Sequence, residues 1–215
     1  MFQGAVRDFA ESEVRPRVQA MEQAARLDPT LIPKFFELGL MGIEVPEAHG
    51  GAGGSLFMTV LAVEELSAVD ASAAIFVDVQ NTLVNALLLK WASDDIKQRY
   101  LPRLATQVAG AYALSEAGSG SDAFGLQTKA TKQGDKWILD GRKLWITNGH
   151  EAGLFVIFTQ TDFRQGLQGD HRVCGGAGLQ RIQRRQERRQ AGDSRVVDRR
   201  VDPRSLRGPG REPDR

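Results

Sequence analysis

Two short stretches of the chain combine residue types that could hold a ligand. Tyr112-Ala113-Leu114-Ser115-Glu116-Ala117-Gly118-Ser119-Gly120-Ser121-Asp122 runs from a strand-like start into a loop of small residues. Glycine and serine in such a loop let backbone N–H groups approach an anion or a ring edge closely, and the hydroxyls add hydrogen bonds. Its glycine spacing matches neither the phosphate-loop nor the dinucleotide-fold pattern, and an ordinary turn would read the same way. Lys143-Leu144-Trp145-Ile146-Thr147-Asn148-Gly149 sets an indole and a hydroxyl two residues apart, on the same side if the segment is extended. That suits a flat ring system packed on one face and hydrogen-bonded at its edge; a core tryptophan beside a turn is the alternative.

The elements that must position these stretches follow from periodicity. Phe2, Val6, Phe9, Ala10 and Val14 recur at helical spacing, with Pro16 expected to kink or interrupt a helix that continues through Met21. Asp28-Pro29-Thr30 can start a second helix, whose apolar stripe is Ile32, Phe35, Phe36 and Leu40 and whose stop is Gly39. After a glycine-rich loop over 46–55, helices are predicted over 55–69 and 71–91, the second apolar enough to be the centre of a bundle. Ser93-Asp94-Asp95 can cap a further helix that Pro102 kinks or interrupts near its end. From Gly110 the pattern turns to two-residue alternation: a strand over 111–114, a hairpin of 126–132 with 136–140 about Gln133-Gly134-Asp135, and a strand over 154–159. The predicted class is α+β, an amino-terminal helical bundle (1–109) followed by a truncated antiparallel β domain (110–162).

Composition adds exclusions. At 215 residues and a formal charge of +1 the chain can bury a core, and its totals point to no special class. Uninterrupted apolar runs such as Ala86–Leu89 and Leu154–Phe158 are too short to span a bilayer, and no basic-then-apolar signal opens the sequence. The expected compartment is the cytoplasm, with no membrane partner. One cysteine, Cys174, and three scattered histidines provide neither an internal disulfide framework nor a metal-ligand cluster. Glu64 and Glu65 are read as solvated or cap-related, and Glu116 as ordering its loop rather than acting as a base.

Taken together, the two stretches resemble the middle domain of acyl-CoA dehydrogenases. Met1–Glu11 is similar to that family's first helix, Gly39–Gly54 to its helix-loop, and Lys97-Gln98-Arg99-Tyr100-Leu101-Pro102 to its lead into the middle domain. The resemblance covers residues 1 to about 160. Val69-Asp70-Ala71-Ser72 and Gln80-Asn81-Thr82-Leu83 look most like the short/branched-chain branch. The resemblance implies a flavoprotein that removes two hydrogens from Cα and Cβ of an acyl-CoA thioester. A carboxylate takes the α proton, the β hydrogen leaves as hydride to FAD, and electrons pass to an electron-transferring flavoprotein. Carried over by position, Tyr112, Ala113, Leu114, Ser115, Gly120 and Ser121 line the FAD. Leu114 and Ser115 lie at the ring, Gly120 and Ser121 toward the phosphates, and Ser121 also touches the acyl-CoA. Trp145, Ile146 and Thr147 cover the ring, with Thr147 at its N5 edge. In the family the base comes from a carboxy-terminal helical domain, and intact members form homo-oligomers, usually tetramers. No sequence resembling that domain is found here, so no catalytic residue is assigned and an inactive fragment is expected.

Residues 163–215 differ in kind. They hold fourteen of the twenty-one arginines and no lysine, tryptophan or tyrosine. A basic nucleic-acid-binding or non-catalytic interaction protein is the alternative this tail raises. Its acids are interspersed, however, and no aromatic accompanies the dense cluster Arg181–Arg189, so nucleic acid is not expected as a partner. Synonymous codons for Leu167–Gly178, read one nucleotide later, can yield Tyr-Lys-Gly-Ile-Thr-Ala-Phe-Val-Val-Glu-Arg-Gly, which resembles the next segment of the family. Gln190–Arg215 behaves likewise, so the tail reads as out of frame from between about Gln160 and Gly166. With few large apolar residues and no sustained periodicity, it is expected to be disordered.

Overall fold

Helical spacing up to Ala109 and alternation after Gly110 resolve, in the computed structural model, into two separately packed units: Met1–Lys90 with Asp94–Ala109, and Trp91–Ser93 with Gly110–Arg215. The structure describes residues 1–133, 136–160, 171–177, 182–184, 194–201 and 206–207, the last four segments and Lys136 by backbone alone.

In the first unit, α1 (Phe2–Phe9) runs through a wide π turn, Ala10–Val14, and a tight 3-10 turn, Arg15–Arg17, into α2 (Val18–Ala24). Pro16 sits in the tight turn and changes the helical pitch without ending the path. Before α3 (Leu31–Glu37) the Asp28 carboxylate accepts the Thr30 amide (2.9 Å) and hydroxyl (2.8 Å). Gly39 ends that segment at φ 75°, a left-handed conformation with no steric cost for glycine. α4 (Leu56–Ser67) packs on α1, and the Glu65 carboxylate accepts from Arg7 (2.6 and 2.8 Å) and Gln3 (2.7 Å). Glu65 is therefore a buried cross-helix partner, not the solvated or capping acid expected, because its turn of α4 faces α1. Phe35 centres the core, with ring centroids 5.7 Å from Phe9 and 5.8 Å from Phe76.

α5 (Ala71–Asp78) starts on the Asp70 carboxylate, which accepts the Ala73 amide at 2.7 Å. It continues through a π-helical stretch, Val79–Asn85, into α6 (Ala86–Trp91). The 21-residue span Ala71–Trp91 is long and apolar enough to cross a membrane by length and composition, which the short uninterrupted apolar runs did not suggest. More than half of its apolar window is buried inside the protein, and the amide groups of Gln80, Asn81 and Asn85 donate to backbone there. Gln80 donates to the Leu104 carbonyl (2.7 Å), Asn81 to those of Leu40 (2.7 Å) and Val77 (2.9 Å), and Asn85 to that of Met41 (2.9 Å). Asn81 also accepts the Ile43 amide at 3.0 Å. These fully buried amides thus meet the requirement that polar groups taken out of water find hydrogen-bond partners. α7 (Asp94–Thr106) carries Pro102 inside it and runs on to Thr106.

The second unit is a mixed sheet. β2 (Lys129–Gln133) and β3 (Lys136–Lys143) form the expected antiparallel hairpin; its turn residues Gly134 and Asp135 lie outside the described residues. β1 (Gly110–Ala113), however, pairs with β4 (Leu154–Gln160) in parallel, and β2 meets β4 in parallel at Lys129 and Gln160. The antiparallel domain predicted is thus corrected to a mixed one: the long connection 114–153 allows a crossover, where a tight turn would enforce antiparallel pairing. Ala111, Ala113, Trp137, Leu139, Phe155 and Ile157 form the core of this unit.

Within the region expected to be disordered, the structure has the strand backbones β5 (His171–Ala177), β6 (Ile182–Arg184), β7 (Ser194–Val201) and β8 (Leu206–Arg207). β5 pairs with β4 and β7 with β3, both antiparallel. Ladder bonds use backbone groups that nearly every residue carries, so pairing along an open strand does not require side-chain periodicity. The remainder of 163–215 lies outside the described residues.

Candidate functional site

β1 alternates from Ala111 onward. Ala111 and Ala113 turn into the core of the second unit, while Tyr112 on the other face packs on Phe158, ring centroids 4.8 Å apart. Burial pushes the Tyr112 phenol above its usual range, so it stays a neutral hydroxyl. Past β1, Leu114 and Ser115 are half-buried, and the chain folds back in a tight turn. Glu116 N donates to Ser119 O (3.0 Å), and Ser119 N to Glu116 O (3.2 Å). The Ser119 hydroxyl then donates to the Asp122 carbonyl at 2.7 Å, and the Asp122 carboxylate accepts the Phe124 amide at 3.2 Å. Gly120 and Ser121 are exposed. A Cβ built on Gly118 or Gly120 would meet nothing within 4 Å, so the backbone there faces open space that a ligand could enter.

The second stretch meets the first directly: the Leu144 amide donates to the Ser115 carbonyl at 2.9 Å. β3 ends at Lys143, and Trp145 takes a left-handed φ of 59°, which costs a non-glycine residue about 1–2 kcal/mol. Past Lys143 the segment is therefore not extended, and strand alternation does not place the indole and the Thr147 hydroxyl on one side. The turn that follows sets Gly149 N on Ile146 O (3.0 Å) and Ala152 N on Asn148 O (2.8 Å), and the Asn148 side chain donates to Gly110 O (3.2 Å). Trp145 is left 61% exposed, an unusual state for a large indole on a strained backbone. Thr147 is half-buried, and Ile146 is in the core. The residues expected to line a ligand therefore divide. Tyr112, Leu114, Ser115, Gly120, Ser121, Trp145 and Thr147 are at least partly accessible, whereas Ala113 and Ile146 are buried in the core.

Beneath both stretches lies an ion pair that the sequence reading did not identify. The Lys143 side chain is fully buried and that of Glu116 is 7% exposed; Lys143 Nζ donates to Glu116 Oε1 at 2.7 Å and to the Leu114 carbonyl at 2.9 Å. Glu116 Oε1 also accepts the Thr128 amide (3.0 Å) and hydroxyl, and its Oε2 accepts the Gln127 amide (2.5 Å). Gly141 makes room for this contact: a Cβ there would stand 2.4 Å from Thr128 Oγ1 and 2.7 Å from its backbone. Burial pushes the Glu116 carboxyl up, but the bonds from Lys143, Thr128 and Gln127 outweigh it and hold the group below the usual carboxylate range. Burial pushes the Lys143 ammonium down, and Glu116 offsets only part of that. The difference follows from partners, since the carboxylate has three further donors and the ammonium one further acceptor. Glu116 thus orders its loop, and with both oxygens taken it is poorly placed to remove a proton. The available signal was a lysine and a glutamate inside the two suggestive stretches; their pairing needs the parallel β1–β4 arrangement and the hairpin to be known.

Comparison with known proteins gives consistent matches. Residues 1–107 match the acyl-CoA dehydrogenase N-terminal domain and residues 111–175 the acyl-CoA dehydrogenase middle domain. The short/branched chain specific acyl-CoA dehydrogenase of Bos taurus is 43% identical over 169 residues, 79% of this chain and 39% of that protein. The short-chain specific acyl-CoA dehydrogenase of Clostridium acetobutylicum is 37% identical over 165 residues, 76% of this chain and 44% of its own length. Among solved structures, the glutaryl-CoA dehydrogenase of Mycobacterium smegmatis in complex with FADH2 superposes with a TM-score of 0.85 at 28% identity, covering 96% of this chain and 54% of that one. Butyryl-CoA dehydrogenase of Megasphaera elsdenii gives 0.81 at 28% identity, over 95% and 55%. A chain of the electron transferring flavoprotein structure of Acidaminococcus fermentans gives 0.89 at 32% identity, over 97% and 57%. The chain spans about two fifths of the length of these curated relatives and just over half of the solved chains.

Proposed function

The chain belongs to the acyl-CoA dehydrogenase family, and from that premise we propose that it supplies the helical unit and one wall of the flavin site for FAD-dependent α,β-dehydrogenation of a short or branched acyl-CoA. The observation that carries this reading is the Leu144–Ser115 backbone bond, which joins the two stretches whose residues suit a flat ring and its phosphates. FAD fits the residues present. An exposed indole on a strained backbone is available to pack on a ring, the half-buried Thr147 hydroxyl to bond its edge, and the open backbone at Gly118 and Gly120 to approach an anion.

When bound, FAD supplies the acceptor for the hydride leaving the acyl Cβ. Tyr112, Leu114 and Ser115 form the floor beside the ring, Gly120 and Ser121 present backbone toward the phosphates, and Ser121 reaches the acyl-CoA. No residue described here is assigned as the base, because Glu116, the buried carboxylate of the motif, has both oxygens engaged by four donors. The family draws its base from a carboxy-terminal helical domain, so the 215-residue polypeptide alone is proposed to be inactive. Reoxidation by an electron-transferring flavoprotein and assembly into a homo-oligomer belong to the same proposal. The test is titration of the purified chain with FAD, following flavin fluorescence and the visible absorption bands. Saturable quenching that weakens in Trp145→Ala supports the site; FAD binding indifferent to Trp145 and Thr147 contradicts it.

A further inference from the structure

The buried Lys143–Glu116 pair requires explanation, because taking two charges out of water is costly and apolar side chains of similar volume often serve a core as well or better. Its bonds all join three places: the loop at Leu114 and Glu116, the entry to β2 at Gln127 and Thr128, and the end of β3 at Lys143. Two of those places are the stretches proposed to face the flavin. Immediately after Lys143, the Leu144 amide crosses to Ser115, and the next residue is the strained, exposed Trp145. A left-handed tryptophan persists only where its surroundings over-determine the backbone.

We propose that Lys143 and Glu116 are positioning residues that clamp the Leu114–Ser121 loop to the Trp145–Thr147 segment and so hold the cofactor-facing backbone in its binding geometry. The proposal rests on the flavin reading above. Lys143 fixes the Leu114 carbonyl at the proposed ring-facing residue, Glu116 fixes the turn that carries Gly118 and Gly120, and the charge pair makes each arrangement conditional on the other. Without the clamp, the left-handed Trp145 backbone loses the bonded neighbour that opposes its return to an ordinary φ, and the indole moves away from the ring position.

The experiment compares the full chain with Lys143→Met, Lys143→Arg and the double variant Glu116→Gln/Lys143→Met. The double variant removes both charges together, so it is expected to stay folded where the single Lys143→Met can fail by leaving a buried carboxylate alone. Amide hydrogen exchange reads the clamp without any cofactor. In the folded double variant the Leu144 and Ser119 amides are expected to exchange at least about tenfold faster, with the β2–β3 ladder unchanged. FAD titration is expected to show at least about a tenfold loss of affinity, part of which Lys143→Arg retains by keeping the charge and a donor to Glu116. Wild-type exchange at Leu144 and Ser119 in the folded double variant overturns the proposal, as does unaltered FAD affinity. If the unmutated chain takes up no FAD, the flavin reading fails for this chain, and the exchange rates alone still decide the clamp.

Discussion

At the scale of single residues, chemistry was visible in the sequence where a side chain's own type announces it. Trp145 and Thr147 stood out as an indole and a hydroxyl on a short motif, and the structure leaves the first exposed and the second half-buried. Replacing Thr147 by valine keeps shape and removes the hydroxyl. It is expected to shift the absorbance of bound FAD while leaving the unfolding free energy within about 1 kcal/mol of the parent, the worth of one hydrogen bond. Absorbance spectra and thermal melts of the two proteins check this. Glu116 was read as ordering its loop, but its pairing with Lys143 was not legible, since the two lie 27 residues apart and meet only through the sheet. Because the folded Glu116 carboxyl lies below its unfolded value, its contribution is present above the unfolded pKa and is lost as pH falls through the folded one. Acid titration from neutrality, followed through the buried Trp137, is expected to show destabilisation setting in below about pH 4.3. Glu116→Gln should show a shallower decline in the same window, and an unchanged slope would remove Glu116 from that account.

At the scale of elements, helix placement followed the 3.6-residue stripe, the helix before Gly39 stops at that glycine, and the hairpin strands lie where two-residue alternation put them. Two features escaped the sequence reading. The parallel β1–β4 pair depends on a crossover that no local spacing encodes. Gln80 and Asn81 were read only for their resemblance to a family branch and Asn85 was not singled out; all three tie the central helix to the backbone of the Leu40–Ile43 segment and of α7. Asn81→Leu leaves the Leu40 carbonyl and the Ile43 amide buried without their side-chain partner. At about 1–3 kcal/mol for each such group, urea unfolding should show a loss of about 2–6 kcal/mol concentrated in the helical unit. A loss under about 1 kcal/mol would mean that loop and helix are held by packing alone.

At the scale of the whole molecule, the family extends along the sequence match to residue 175, while arginine displaces lysine after Asp162. The gene is expected to carry, one nucleotide on from the codons of Leu167–Gly178, a continuous family-like reading frame; codons without such a frame would refute the out-of-frame reading of the tail. The central proposal is that these residues form one wall of a flavin site beside an acyl-CoA, with no described residue acting as the group that removes the α proton. Anaerobic titration of the FAD-loaded chain with short, branched and medium acyl-CoAs, following bleaching of the oxidised flavin bands, tests it directly. The account predicts no substrate-dependent bleaching with any of them. Slow, reproducible bleaching would contradict it and place a working base within these 215 residues, with Glu116 the first to substitute.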